Sequence, residues 1–236
     1  MIVKIADIII KINSSHPYVP SICKKYEIKK YDHIDFEVDI TDEDYKNVRK
    51  HEEYKDYPDW YIEGGVVYRK ICHQLYKYNA IMIHGTAILY NNKVYMLSAP
   101  SGTGKSTHAN LIIEASKNKA IIINGDKPII RLKDGKYYAY GTPWCGKEYE
   151  GTCQFAEVAA ICFLERGEPR IEGMSPKEVT KSIITEIVYP ASEEEAAGLF
   201  RILNEVIMQC KLYKVYCDLS KESGKLSFEK ILKAQE

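Results

Sequence analysis

The 236-residue chain is bounded first by what it lacks. No apolar run approaches the roughly 18 residues of a membrane-spanning helix, so no membrane partner is expected. Lys plus Arg number 33 and Asp plus Glu number 33, leaving no formal net charge. Without a global field, no nucleic acid partner is expected either, although a local patch can still hold phosphate. The seven cysteines are odd in number and contain no C-x-x-C pair. That spacing suits neither a disulfide framework nor a zinc site, and the expectation is reduced thiols in a cytoplasmic protein. The opening stretch, residues 1–12, is broken by Lys4, Asp7 and Lys11 and lacks a small-residue cleavage site, so it reads as a strand and not as a signal peptide. Phenylalanine (5) and tryptophan (2) are scarce beside 19 tyrosines, a bias suited to partly buried sheet surface with wet hydroxyls. Repeats and low-complexity stretches are absent, and a 45% hydrophobic, 28% charged composition excludes wholesale disorder.

What is present reads as an α/β chain. Residues 1–60 look like short strands separated by turn signals, with His33–Ile40 alternating apolar and polar. Val67, Ile71 and Leu75 mark a helix over residues 62–78. Asn91-Asn92 and Asp134-Gly135 each divide two β-rich runs, which predicts two hairpins and therefore a mixed sheet. Ala156–Leu164 is a buried-strand candidate. Ser175-Pro-Lys-Glu178 is a capping box that opens a helix, and Ser192-Glu-Glu-Glu195 repeats the signal. Leu212–Leu219 returns as a strand before a short terminal helix.

The strongest chemical signal is Ala99-Pro-Ser-Gly-Thr-Gly-Lys-Ser-Thr107, a Walker A phosphate loop (P-loop) with Ala99 in the first glycine position. Glycines let the backbone curl so that successive N–H groups form an anion nest, and the following helix adds its unpaired N–H groups and positive end. Ser101, Gly102, Thr103, Gly104, Lys105, Ser106 and Thr107 are thus the candidate nucleotide-binding residues. Lys105 reaches the β- and γ-phosphates, and the Ser106 hydroxyl is offered to Mg²⁺. The acid that such a loop needs is Asp126, twenty-one positions after Lys105 at the end of the next apolar strand. In a βαβ unit that strand lies parallel to the first, which brings Asp126 beside the loop, within reach of metal and of an incoming hydroxyl.

With the loop, the acid soon after it and His84-Gly85 upstream, the chain resembles the HPr kinase/phosphorylase family and, more distantly, the phosphoenolpyruvate carboxykinases. The resemblance covers roughly residues 82–132, and Gly141-Thr-Pro-Trp-Cys-Gly146 is similar to small HPr-kinase-like proteins. It implies a mixed β-sheet P-loop core over residues 61–236, with residues 1–60 as an N-terminal β-rich appendage. It also implies phosphoryl transfer from ATP, with Mg²⁺ on Ser106 and Asp126, to a hydroxyl on a small molecule or peptide. Lys105, Asp126 as base and His84 beside it are the catalytic candidates. Thr107 stands where the true HPr kinases carry Glu, and only Asp126 matches their acid pair. Both departures stand against a protein-phosphorylating, phosphorylase-capable activity. Family members often assemble, so a homo-oligomer is carried as an expectation. Two other readings remain at this level: a nucleotide-binding regulatory module without turnover, suggested by the single acid, and a carboxykinase-type lyase.

Weaker candidates surround these. Trp144 in its glycine-bounded loop is read as lining a site. Lys127, Arg131 and Lys147 are cations that could hold an anionic acceptor. His108 is expected to face solvent or the sheet, and Cys145 has no histidine near it in sequence to make it a nucleophile.

Overall fold

The computed structural model describes residues 1–147 and 151–235. Strands β1 (Ile2–Ile5) and β2 (Ile8–Asn13) form an antiparallel pair turned at Ala6-Asp7, both at positive φ. After helix α1 (Tyr18–Cys23), β3 (Phe36–Asp39) joins parallel to β2. Residues 1–60 are therefore not strands alone. Pro20 falls in the first turn of α1, where its missing N–H costs nothing. Helix α2 (Asp42–Arg49) is opened by a capping box in which Thr41 and Asp44 exchange hydrogen bonds. The long helix α3 (Asp59–Leu75) follows.

The larger sheet is built from β4 (Ala80–Met82), β5 (Thr86–Tyr90) and β6 (Lys93–Ser98), then, after α4 (Lys105–Ala115), β7 (Ile121–Asn124), β8 (Ile129–Lys133), β9 (Lys136–Tyr140), β10 (Phe155–Arg166) and β11 (Arg170–Gly173). Helices α5 (Pro176–Ile183) and α6 (Glu193–Gln209), strand β12 (Lys211–Cys217) and helix α7 (Lys221–Ser227) complete the chain. The strand order is β4-β8-β9-β10-β6-β5-β7, with β12 on β10 and β11 on β12. Both expected hairpins form, with Asn91 and Asn92 at φ 46° and 61° and Asp134 and Gly135 at 50° and 77°. Paired positive φ values match the right-handed twist of the flanking strands.

The mixed sheet curls on itself. Met82 lies opposite Ile129, and Ala87 opposite Asn124, so β4–β8 and the start of β5–β7 continue one antiparallel ribbon in register, which shifts by one residue between Ala87 and Ile88. The ribbon parts between them, at residues 83–86 and 125–128. Strand β5 also lies between β6 and β7, which the βαβ reading did not foresee. Because β5 is antiparallel to both neighbours, β7 still runs parallel to β6, and their C-terminal ends share one edge of the sheet.

Alternation along β6 sends Val94 and Met96 into the cluster under α5 and α6, and Tyr95 and Leu97 into the one under α4 and the end of the chain. In β10 the parity changes at an irregularity between Val158 and Ala160, so Val158 and Ile161 face the same way. The N-terminal sheet packs with α3, β4 and β8 through Ile5, Ile10, Val67, Ile71, Met82 and Ile129. Among the described residues no helix is long and apolar enough to cross a membrane.

Helix α4, which follows the glycine loop, is held against α7 by a close approach at Gly224. A Cβ there would stand 2.5 Å from Leu111 Cβ and 2.6 Å from its carbonyl carbon. Gly224→Ala is expected to destabilise the fold by about 2 kcal/mol in urea titration, overpacking outweighing the helix propensity of alanine. A stabilised variant would contradict this packing.

Candidate active site

Two chain segments cross where the ribbon parts. The Gly85 amide donates to the Asp126 carbonyl (2.9 Å), the Ile83 amide to the Pro128 carbonyl (3.3 Å), and Thr86 Oγ1 to the Gly125 carbonyl (3.2 Å). These bonds hold the backbones together while the side chains of His84 and Asp126 are left free to face the sheet edge. Asn124, fully buried, fixes the turn: its Oδ1 accepts from the Asp126 amide (2.9 Å) and the Lys127 amide (2.8 Å), and its Nδ2 donates to Thr142 Oγ1 (3.0 Å). Gly146, at φ 84°, closes over the same carboxylate, and a Cβ on it would stand 3.4 Å from Asp126 Cβ.

The glycine loop leaves β6 at the same edge. Gly102 and Gly104 take φ values of 78° and 111°, which L side chains rarely adopt. Ala99 is not among the positive-φ residues, so alanine carries no strain in the first position of the motif. Arg166, at the end of β10, draws two loop carbonyls to itself: Nη2 donates to Gly102 O (2.7 Å) and Nε to Thr103 O (3.3 Å). Helix α4 begins at Lys105 with no side-chain cap on its first turn, leaving its leading amides to an external acceptor. Lys105 is itself buried, and its Nζ donates to Ala99 O at 2.6 Å. Burial draws its pKa below the ordinary lysine value, against the opposing charges of Glu186 and Asp126.

Loop and acid meet in one cavity of about 340 Å³, lined by Ser101, Gly102, Gly104, Lys105, Ser106 and Thr107 on one side and by His84, Gly125, Asp126, Gly146 and Lys147 on the other. Thr103 faces two adjoining cavities of about 670 and 630 Å³ that flank the loop. Asp126 Oδ1 lies 3.3 Å from His84 Nε2 and 3.3 Å from Lys127 Nζ. Burial pushes its carboxyl up, but the His84 hydrogen bond and the Lys127 charge more than offset this, so it titrates below the usual carboxylate range.

His84 has a second acid that the sequence reading missed. Glu186 Oε2 stands 2.6 Å from His84 Nδ1, and the Glu186 carbonyl accepts from the His84 amide at 2.7 Å. Glu186 is buried at the end of the turn that extends α5. In sequence it is one acid beside the apolar Ile183, Ile184 and Ile187, and its only signal was that a polar residue so near an apolar stripe needs a partner.

The weaker candidates divide. Trp144 lies beside Lys127, whose amide donates to the Trp144 carbonyl (3.1 Å), and the two share with Asp126 a second cavity of about 520 Å³. Arg131 is removed from the site: its guanidinium donates to Ala6 O (2.6 Å) and Tyr78 O (3.3 Å), tying the N-terminal turn to β8. His108 is buried, with Nε2 2.9 Å from Ser227 Oγ on α7, and burial pushes its pKa down to about 4, so it is a neutral packing residue. Cys145 is buried, and among the described residues no two cysteines are joined in a disulfide.

No family model matches the chain, and no curated protein matches it. Among solved structures it is similar to the HPr(Ser) kinase/phosphatase from Coxiella burnetii, at 10% identity and a TM-score of 0.37, over 66% of this chain and 99% of that one. So low a TM-score carries no weight for function, and the chemistry rests on the residues of the cavity.

Proposed function

We propose that the chain is an ATP-dependent phosphotransferase that moves the γ-phosphoryl group to a hydroxyl of a small molecule or peptide. The observation that carries this reading is the single cavity in which Asp126 faces Lys105, Ser106 and the uncapped start of α4. Amides and ammonium on one wall suit a polyphosphate, and a carboxylate opposite suits an attacking hydroxyl.

In this mechanism Lys105 exchanges its loop carbonyls for phosphate oxygens, and the amides of α4 hold the chain of phosphates in line. The acceptor oxygen forms its bond to the γ-phosphorus as the bond to the β,γ-bridging oxygen breaks, and ADP departs with that electron pair. The acceptor proton passes to Asp126. His84, held through Nδ1 by Glu186 and hydrogen-bonded through Nε2 to Asp126 Oδ1, orients the carboxylate toward the acceptor hydroxyl. Glu186 is thus a positioning residue that fixes the ring.

The donor set fits Mg²⁺. Ser106 and Asp126 offer oxygen only, and among the described residues no cluster of three His, Cys, Asp or Glu forms a protein cage. Magnesium is commonly held by one or two carboxylates together with substrate phosphates. Ser106 and Asp126 would hold it, and it would supply charge neutralisation to the transferred group.

The test is calorimetric titration with MgATP. Binding is expected in the wild type, and Lys105→Ala should weaken it at least about tenfold, the loss of a charge-assisted phosphate contact. Absence of nucleotide binding, or equal binding by the variant, overturns the reading.

A further inference from the structure

A hydroxyl that attacks phosphate must touch Asp126, and Asp126 lies at the boundary of two cavities. One is the 340 Å³ cradle that the phosphates fill. The other, about 520 Å³, is walled by Tyr18, Tyr54, Tyr61, Tyr68 and Trp144. Resting on the phosphotransfer reading above, we propose that this aromatic cavity is the acceptor site, and that it takes a small molecule with a flat ring, a hydroxyl and an acidic group.

Each part of that description has its own support. A volume of about 520 Å³ falls within the range of small-molecule sites, and five aromatic side chains suit a flat body. Tyr68 and Trp144 tilt together with ring centroids 5.8 Å apart, and Lys127 Nζ lies 5.9 Å above the Tyr68 ring. Trp144 Nε1 is buried and has no hydrogen-bond partner among the described residues. Arg69 lines the same cavity from its exposed side, and among the described residues no carboxylate pairs with it. Inside, Lys127 is engaged by Asp126, so Arg69 is the cation available to an acidic group.

The backbone of α3 gives an independent reason. Gly64 and Gly65 sit together in the middle of this helix, where each weakens it relative to alanine. Packing explains Gly64, because a Cβ there would stand 2.7 Å from the Tyr18 ring. Nothing lies within 4 Å of a Cβ on Gly65. Its missing side chain fills no packing need and leaves the cavity wall open.

The two tryptophans report on the site. Trp144 lines it, and Trp60 lies 5.2 Å from the ring of Tyr18. In a Trp60→Phe background, 4-(hydroxymethyl)benzoate is expected to change Trp144 emission saturably without nucleotide, while benzyl alcohol (no charge) and glycerate (no ring) bind at least about tenfold more weakly. Arg69→Gln should weaken the benzoate about tenfold. Gly65→Leu should raise Tm by about 2 °C and abolish the response, so lost binding cannot be blamed on a lost fold. MgATP titration of both variants should match the wild type, which separates this inference from the phosphotransfer reading. The inference is overturned if the benzoate does not saturate, if Gly65→Leu leaves its binding intact, if either truncated probe binds as well, or if only a serine-containing hexapeptide binds.

Discussion

Asp126→Asn is expected to lower phosphoryl transfer by at least about 1,000-fold while changing MgATP affinity by less than about threefold. The substitution keeps the size and planarity of the side chain. It also leaves the backbone bonds of residue 126 to Asn124 and Gly85 in place, so the turn itself survives. What disappears is the negative charge that partners Lys127 and His84, and with it the proposed proton acceptor and the proposed oxygen ligand for Mg²⁺. A positioned general base alone contributes roughly 10² to 10⁴ in rate. On the proposed reading nucleotide affinity is carried by the opposite wall, by Lys105 and the amides of the loop and α4, and should be largely spared. Before an acceptor is in hand, the measurable reaction is MgATP hydrolysis, with water in the acceptor's place. Turnover within about threefold of the wild type would remove Asp126 from the mechanism, whatever the nucleotide titration shows. Loss of both binding and turnover would instead place Asp126 with the phosphate-binding groups.

The elements of this site differ in how far they could be read from the chain. The glycine loop and α4 are local: Gly102 and Gly104 take the positive φ values that their spacing implies, and the helix starts at Lys105. By length alone Asp126 is expected beside the loop through direct β6–β7 adjacency, which the sheet does not have. Strand β5 separates β7 from β6, yet two antiparallel pairings in succession restore the parallel direction. Strand partners are set by distant sequence, so periodicity within residues 80–90 cannot reveal that this run serves two positions in the sheet and parts at His84. Glu186 was illegible for the same reason, because it reaches His84 from 102 positions away. In residues 1–60 the acidic run Asp42-Glu-Asp44 reads as a turn signal, yet Asp44 forms a capping box with Thr41 and the run opens α2. The bulge in β10 leaves no local signature either, and only the two packed faces expose it.

The largest stability effect is expected at Glu63, a fully buried carboxylate in α3 one position before the paired glycines. It accepts from four donors: Ser14 Oγ, the amides of Ser15 (3.0 Å) and His16 (3.2 Å), and the Tyr45 hydroxyl (2.9 Å). These bonds tie the segment after β2, and helix α2, to the helix that lines the aromatic cavity. Burial pushes the carboxyl up, and its donors pull it back further, so it titrates below its ordinary value of 4.5. Glu63→Gln keeps the shape but turns half of the acceptor into an amide donor facing donors. The expected cost is about 3 kcal/mol in urea unfolding at pH 7, since a buried polar group deprived of its partner costs roughly 1–3 kcal/mol and more where a charge is lost. The pH dependence has a definite sign. A carboxylate whose folded pKa lies below its unfolded one stabilises fully above about pH 4.5 and loses that contribution as pH falls through the folded value. The gap between wild type and Glu63→Gln should therefore be widest near neutrality and narrow progressively below pH 4.5. A variant within about 0.5 kcal/mol of the wild type at pH 7, or a gap that widens in acid, would show that the four bonds do not anchor α3. If they do anchor it, the 4-(hydroxymethyl)benzoate response of Trp144 should weaken in the folded variant while MgATP binding, held by loop and α4, stays unchanged.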